Sequence, residues 1–171
     1  IMPTQVGTFD DLPVRGFRNV DAQLYGGELA VLLRPFAHWS FPLSVSYVRG
    51  RNVSDDMDLP EIPPLEARAA VRAEYGEKIP WWVEFGARFA AKQDKVDKSF
   101  PEDETPAFAV FHLYGGFRPI KALKVITGID NLFNTEYSEH LTREAAFDVG
   151  DLVAGEEVPA PGISFFIAAR Y

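Results

Sequence analysis

The chain has 171 residues, 13% of them aromatic, and a formal net charge of −8 from 25 acidic and 17 basic residues. That balance argues against nucleic acid as a partner, because phosphate binding needs a concentrated basic surface. The lack of cysteine removes disulfides, thiolate zinc sites and iron–sulfur clusters. No apolar run reaches the roughly 18 residues of a membrane-spanning helix, which leaves β-barrels open because their strands show only alternation. No basic-then-apolar leader is visible, and the abrupt opening Ile1-Met2-Pro3 suggests a fragment.

Alternation with a period of two predicts about seven strands. The first covers roughly residues 22 to 33, with Tyr25, Leu29, Val31 and Leu33 on one face and Glu28 on the other. In the second, Phe41, Leu43, Val45 and Tyr47 interleave with Ser44 and Ser46. The third sets Ala67, Ala69, Val71, Ala73 and Tyr75 against Glu66, Arg68, Arg72 and Glu74. Ala, Arg and Glu are good helix formers, but charges at every second residue would be scattered around a helix. A strand is therefore expected there too. The fourth sets Trp81, Val83, Phe85, Ala87, Phe89 and Ala91 against Glu84, Arg88 and Lys92. The fifth places Ala109, Phe111, Leu113 and Phe117 against His112, Tyr114 and Arg118, and the sixth Leu123, Val125, Thr127 and Ile129 against Lys124 and Asp130. The last nine residues close the pattern, with Ile163, Phe165, Ile167, Ala169 and Tyr171 in phase.

Connections alternate in length. Short turns are expected near Pro35–His38, Gly76–Pro80 and Arg118–Lys121, and long links over 49–64, 93–106 and 134–162. The long links gather acid, including Asp55, Asp56, Asp58, Glu61, Glu102, Glu104, Glu139, Glu144, Asp148 and Asp151, with turn-forming prolines such as Pro60, Pro101 and Pro161. Short turns on one side and long loops on the other are the habit of outer-membrane barrels. A soluble β-sandwich would show the same alternation with its greasy face buried, so the pattern alone leaves both open.

The stretch Gly128-Ile129-Asp130-Asn131-Leu132-Phe133-Asn134-Thr135-Glu136-Tyr137 resembles a motif near the carboxyl end of TonB-dependent outer-membrane receptors. In that family an N-L-F-[DN]-x-x-Y segment precedes a long loop, a Pro-Gly pair and a final strand with an aromatic end. Pro161-Gly162 and Tyr171 stand in those places here. Arg18 to Leu29 resembles the family's N-x-x-x-A-x-x-x-G-x-E strand, and Leu59-Pro60-Glu61-Ile62-Pro63-Pro64 its L-P-x-I-P-P loop. Together the motifs span about 14 to 171. Ile163 stands where the family often has Arg after Pro-Gly, and Tyr171 where Phe is commoner.

The resemblance implies an all-β fold: an antiparallel up-and-down meander of seven or eight strands, part of a transmembrane β-barrel or curled into one. Residues 1–171 would form the carboxyl-terminal segment of a barrel of about 22 strands, without the plug domain. It further implies active uptake of a scarce solute, a small molecule or metal chelate such as an iron siderophore, haem, cobalamin or metal. Partners would be outer-membrane lipid and, through the plug, the TonB complex; no cofactor and no enzymatic activity are implied. The segment alone would transport nothing. A small self-contained pore or adhesin remains the rival membrane reading. Unpaired strand edges invite association, so an isolated segment is expected to curl shut or oligomerise.

Chemical candidates are few. His140 in the longest loop and Met57 within Asp55-Asp56-Met57-Asp58 are the weak metal candidates, against a solvated acidic loop. His112 is expected to face the lumen and His38 a short turn. A Ser138, His140 and Asp148 set lacks any geometric support. Gly26-Gly27 and Gly115-Gly116 read as strand glycines, not a phosphate loop. Trp81 and Trp82 are expected in the aromatic girdle at the short-turn side.

Overall fold

A computed structural model describes residues 2–9, 12–98, 102–142, 150 and 153–171. Pro101, Glu144, Asp148 and Asp151 lie outside the described residues. Ten strands follow in chain order: β1 (Met2–Phe9), β2 (Leu12–Arg18), β3 (Ala22–Phe36), β4 (Trp39–Asn52), β5 (Met57–Asp58), β6 (Glu66–Tyr75), β7 (Trp81–Ala90), β8 (Phe108–Ile120), β9 (Leu123–Asp130) and β10 (Ser164–Arg170). Strands β3 to β10 make one antiparallel meander, in the spatial order β10-β9-β8-β7-β6-β4-β3, with β5 paired to the end of β4. The Ala-rich third segment is strand β6.

Several features differ from the sequence reading, among them the short strand β5 within the expected link 49–64. The hairpin β1–β2 was not expected, because Pro3, Pro13 and the polar Thr-Gln-Thr set break the alternation that marks the later strands. Strand β4 also runs on to Asn52, where a long link was expected to begin at Arg49. Side-chain alternation fails at Arg49-Gly50-Arg51, but the backbone ladder with β3 continues through Gln23↔Arg51 and Ala22↔Asn52. Ladder hydrogen bonds need no side-chain pattern, so pairing outlasts the signal that reveals it. The first turn narrows to 37–38, with His38 in the left-handed region at φ 68°.

Short and long connections alternate: 37–38, 76–80 and 121–122 on one side, and 53–65, 91–107 and 131–163 on the other. Apart from shifts beside the short turns, at Leu33/Phe36 and Phe117/Ile120, register carries the period of two across the sheet. One row runs Val71↔Phe85↔Leu113↔Ile129↔Phe165, and the neighbouring rung runs Arg72↔Glu84↔Tyr114↔Gly128↔Phe166. A one-residue slip anywhere would exchange the faces.

The two faces meet different surroundings. Phe85 is 39% exposed, Phe165 71% and Ile167 77%, while the buried apolar residues among those described are only Ile62, Ala73, Ala87, Ala90 and Val96. Outward rings touch laterally, Phe85 stacking on Phe111 at 5.9 Å and Phe111 meeting Phe133 edge-on at 5.1 Å. No second sheet covers this face among the described residues. A β-sandwich needs that second layer, so the sandwich alternative fails for this chain. A water-soluble surface does not carry such a continuous apolar wall.

Inward lie the charges. A cavity of about 940 Å³ is bounded by Ala30 and Leu32 of β3, Arg68, Glu84, Arg88 and Tyr114 of the wall, and Ser164 of β10. Residues from both outermost strands border one hollow, so the sheet curls. Among the described residues β3 and β10 are not paired with each other.

Alternation also corrects the girdle. Trp81 faces outward, 44% exposed, in a stack with Tyr75 (5.3 Å) that continues to His38 (4.7 Å from Tyr75). Trp82, next along the strand, must face inward. It lies beneath the Arg72 guanidinium, 3.9 Å from ring centroid to Cζ, and against Gly116. A Cβ on Gly116 would stand 2.7 Å from Trp82 Cε2, so only glycine leaves room for the indole.

Candidate functional site

Three groups of side chains occupy the hollow and the loops above it. At its centre Arg88 joins wall to loop. Its Nη2 donates to Glu66 Oε1 (2.6 Å) and to Glu139 Oε2 (2.7 Å), its Nε donates to Glu66 Oε2 (3.2 Å), and its Nη1 donates to Glu139 Oε1. Its guanidinium also approaches the Phe108 ring at 5.3 Å. Glu66 comes from β6, Arg88 from β7 and Glu139 from the long loop after β9, so one planar cation with five donors holds two carboxylates. The neighbouring Arg68 lies 3.6 Å from Glu66 and stays 65% exposed, a cation presented to the hollow.

Lower on the wall, Arg72 donates to Glu74 (2.6 Å) and lies 3.6 Å from Glu84. His112 faces the hollow as expected, stacked on Tyr114 at 4.3 Å with Nε2 3.5 Å from Glu84. The Tyr114 hydroxyl donates to Asp130, and its ring meets Phe166 edge-on at 5.5 Å. This polar ladder crosses β7, β8, β9 and β10. A Cβ at Gly86 would collide with the His112 ring and stand 2.9 Å from Ala70 Cβ. Gly86→Val should therefore push His112 off Tyr114 and cost about 1–3 kcal/mol, read as a lower midpoint in denaturant unfolding of the refolded protein in micelles.

The third group locks the long loops together. Glu102 accepts from the backbone N–H of Glu61 (2.6 Å) and of Asp97 (3.0 Å). His140 sits beside it, its side chain only 1% exposed, with Nδ1 3.0 Å from Thr105 Oγ1 and Nε2 3.1 Å from Glu102 Oε1. The Nε2 contact makes no directed hydrogen bond. Gln93 donates to the Ile62 carbonyl (2.7 Å) and pairs through its backbone with Thr105. Loops 53–65, 91–107 and 131–163 thus share one polar hub. Alanine at Glu102 strands two backbone donors and should free loop 91–107, seen as faster amide hydrogen exchange there than at β7.

Met57 lies opposite Asn52 on β5, while His140 has Thr105 and Glu102 as neighbours. No group of three His, Asp or Glu able to hold a metal occurs among the described residues. Of the Ser138, His140 and Asp148 set, Asp148 is outside the described residues, and His140 turns to Thr105.

The motif after β9 forms a backbone clasp. Asn131, 6% exposed and at φ 50°, donates through Nδ2 to the carbonyls of Thr135 (2.8 Å) and Pro161 (3.2 Å) and accepts from Thr135 N–H (2.8 Å). Asn134 Oδ1 accepts from Ile163 N–H (2.9 Å), which sets the chain at Pro161-Gly162 for entry into β10. Leu132 N–H donates to Phe111 O (2.8 Å), and Phe133 joins the outward aromatic row. Tyr137 lies on Phe108 at 4.4 Å, and burial first, then the charge of Glu139, pushes its phenol above the usual range, so it packs neutral. Tyr171 is 97% exposed at the short-turn end. Asn131→Ala removes three hydrogen bonds at a left-handed residue and should cost about 2–3 kcal/mol, read as loss of protease protection of β10. Family likeness marked these residues; the Arg88 and Glu102 hubs were missed, since each partner lies more than thirty residues away on one side at least.

One curled antiparallel layer, apolar outside and ion-paired within, defines a stretch of β-barrel wall. The family described as TonB dependent receptor-like, beta-barrel matches residues 2–132, and the chain belongs to it. Among solved structures, the copper transporter OprC is 32% identical, with a TM-score of 0.88, over 100% of this chain and 26% of its own. The ferric yersiniabactin uptake receptor FyuA from Yersinia pestis is 16% identical (TM-score 0.63; 87% of this chain, 23% of its own) and shows the fold. So does the ferric-catecholate import receptor Fiu from K12 E. coli, at 17% identity (TM-score 0.61; 98% and 22%). The chain therefore spans about a quarter of the length of these structures. No curated protein sequence matches it.

Proposed function

We propose that this chain is the carboxyl-terminal segment of the barrel of an outer-membrane receptor that imports a scarce metal-bearing solute, energised through TonB. The observation that carries the reading is the division of the sheet into a continuous apolar outer row and an inner face of paired charges. Lipid accepts the first, and a water-filled or plugged lumen accepts the second. The free edges of β3 and β10 would pair with the remaining strands of the barrel, which removes the hazard of open edges. The residues of the described loops favour capture and gating over catalysis, because their carboxylates and imidazole are engaged in holding loops.

Copper, free or chelated, is the first cargo to test, on the strength of 32% identity to a copper transporter across the whole chain. The test compares uptake of labelled copper and of ferric siderophores by cells with and without the receptor, each with and without TonB. Copper uptake should fall when either component is removed, while ferric siderophore uptake holds. Unchanged copper uptake in all four strains would overturn the cargo, and equal uptake with and without TonB the mode of energisation.

A further inference from the structure

Glu102 is a carboxylate placed where water barely reaches it. Its side chain is 7% exposed and accepts the N–H groups of Glu61 and Asp97. Among the described residues no lysine or arginine forms an ion pair with it. A buried charge is costly unless a counter-charge stands beside it. The group in that place is His140, its side chain 1% exposed and its Nε2 3.1 Å from Glu102 Oε1. Imidazole changes charge between about pH 5 and 8, so the missing counter-charge is one proton away.

The other charged groups of the three loops are engaged or turned to solvent. On the loop of His140, Glu139 is held by Arg88 at 2.7 Å, and Glu136 is exposed. On loop 91–107, Lys92 pairs with Glu104 and Lys95 with Asp94 at the surface, and Asp103 is exposed. The buried Asp97 is tied to Glu102 through its own N–H. On loop 53–65, Glu61 reaches Glu102 with its backbone N–H. Across the ring, Thr105 Oγ1 stands 3.0 Å from Nδ1. Imidazolium donates from both nitrogens, whereas a neutral ring carries one N–H for two partners. Burial opposes charging the ring, but a carboxylate in contact favours the charged form by about tenfold or more. With an acceptor at each nitrogen, the second effect wins here.

We propose that His140 is a proton-operated lock on the long loops. Protonated, it is the cation that pins loop 131–163 to Glu102; neutral, it lets that loop go. Loops 53–65 and 91–107 stay joined in either state, because Gln93 donates to the Ile62 carbonyl and Glu102 accepts from Glu61. Glu139 likewise keeps its anchor on Arg88, so the proton controls the loop at and beyond His140. Closing the lock takes up a proton. It is therefore complete in acid and loosens as pH rises. The proposal holds for any cargo, and the pH sensed is that of the medium around the long loops.

The test uses the intact receptor that contains this chain, in nanodiscs, with a spin label on a cysteine replacing the exposed Thr142. Mobile and immobile components of its spectrum are followed from about pH 8 to about pH 5.5, above the ordinary carboxylate range. The temperature is set so that both components are present at the alkaline end. The immobile-to-mobile ratio should rise about tenfold or more on acidification. It should stay within about twofold over the same span in His140→Gln and in Glu102→Gln, each of which removes one partner of the pair. His38→Gln and His112→Gln should respond as the wild type does, since those rings stack on Tyr75 and Tyr114 of the wall. Heat-modifiable gel migration, which reports the folded barrel, should be the same for all. A wild-type ratio that ignores pH would overturn the proposal, as would an undiminished response in His140→Gln or in Glu102→Gln. Loosening in acid would also overturn it, by showing that burial and not Glu102 governs the ring.

Discussion

Arginine in place of Phe85 should cost about 2–4 kcal/mol of barrel stability in a bilayer, because the residue sits midway along β7 on the outward row. The guanidinium would either shed its water into hydrocarbon or thin the membrane locally to reach the interface. Phe85→Leu keeps an apolar surface and should change stability by under about 1.5 kcal/mol. Urea unfolding in phosphatidylcholine vesicles, followed by tryptophan fluorescence, separates the two variants. Arginine one position away at Glu84 supplies the informative contrast. Position 84 faces the hollow, so Glu84→Arg should disturb Arg72 and His112 locally without the depth-dependent cost of a lipid-facing charge. Near-equal effects at 84 and 85 would mean that the faces are not divided between water and lipid.

Removing the Arg88 cation should be the most damaging change on the inner face. Arg88→Met keeps the apolar stem but leaves Glu66 and Glu139 facing each other with their main counter-charge gone. Breaking a fully buried pair costs about 3–5 kcal/mol; Arg88 and Glu66 are each about one-fifth exposed at the side chain, which places the expected loss nearer 2–3 kcal/mol. The signature distinguishes this network from a generic wall residue. Glu139 belongs to the long loop, so the variant should release residues 131–142 to proteolysis while the β6–β7 ladder remains protected. Adding Glu66→Gln and Glu139→Gln to Arg88→Met removes the stranded charges and should recover at least half the loss. A triple variant as unstable as the single one would show that packing against Phe108, not charge, holds the site.

Much of this wall is legible in the sequence because a two-sided strand writes its two surroundings into alternate residues. Val83, Phe85, Ala87 and Phe89 against Glu84 and Arg88 fix both the strand and its facing before any coordinate is known. The same rule, applied one residue at a time, separates Trp81 from Trp82; reading them as a pair conceals that one is on the outward row and the other lies under Arg72. Legibility falls where backbone pairing runs on without alternating side chains, as at Arg49 to Asn52, and where prolines interrupt the pattern, as in the first hairpin. The loop hubs are least visible. Glu102 is one acid among many in the sequence, and its distinction is purely spatial: it is nearly buried beside His140 and receives N–H groups from two separate places in the chain. Local motifs do better when the contact is local, as where Asn131 bonds to Thr135 four residues on.

The division of faces can be measured directly: this chain has no cysteine of its own, and any elsewhere in the receptor is replaced first. Spin labels placed one at a time on cysteines introduced along Trp81–Ala90 of the membrane-reconstituted receptor report collisions with dissolved oxygen and with a water-soluble nickel chelate. Oxygen should dominate at 83, 85 and 87 and the chelate at 82, 84 and 88, with a period of two. A flat profile, or one with the phase reversed so that 84 and 88 meet lipid, would contradict the assignment of this sheet to a barrel wall.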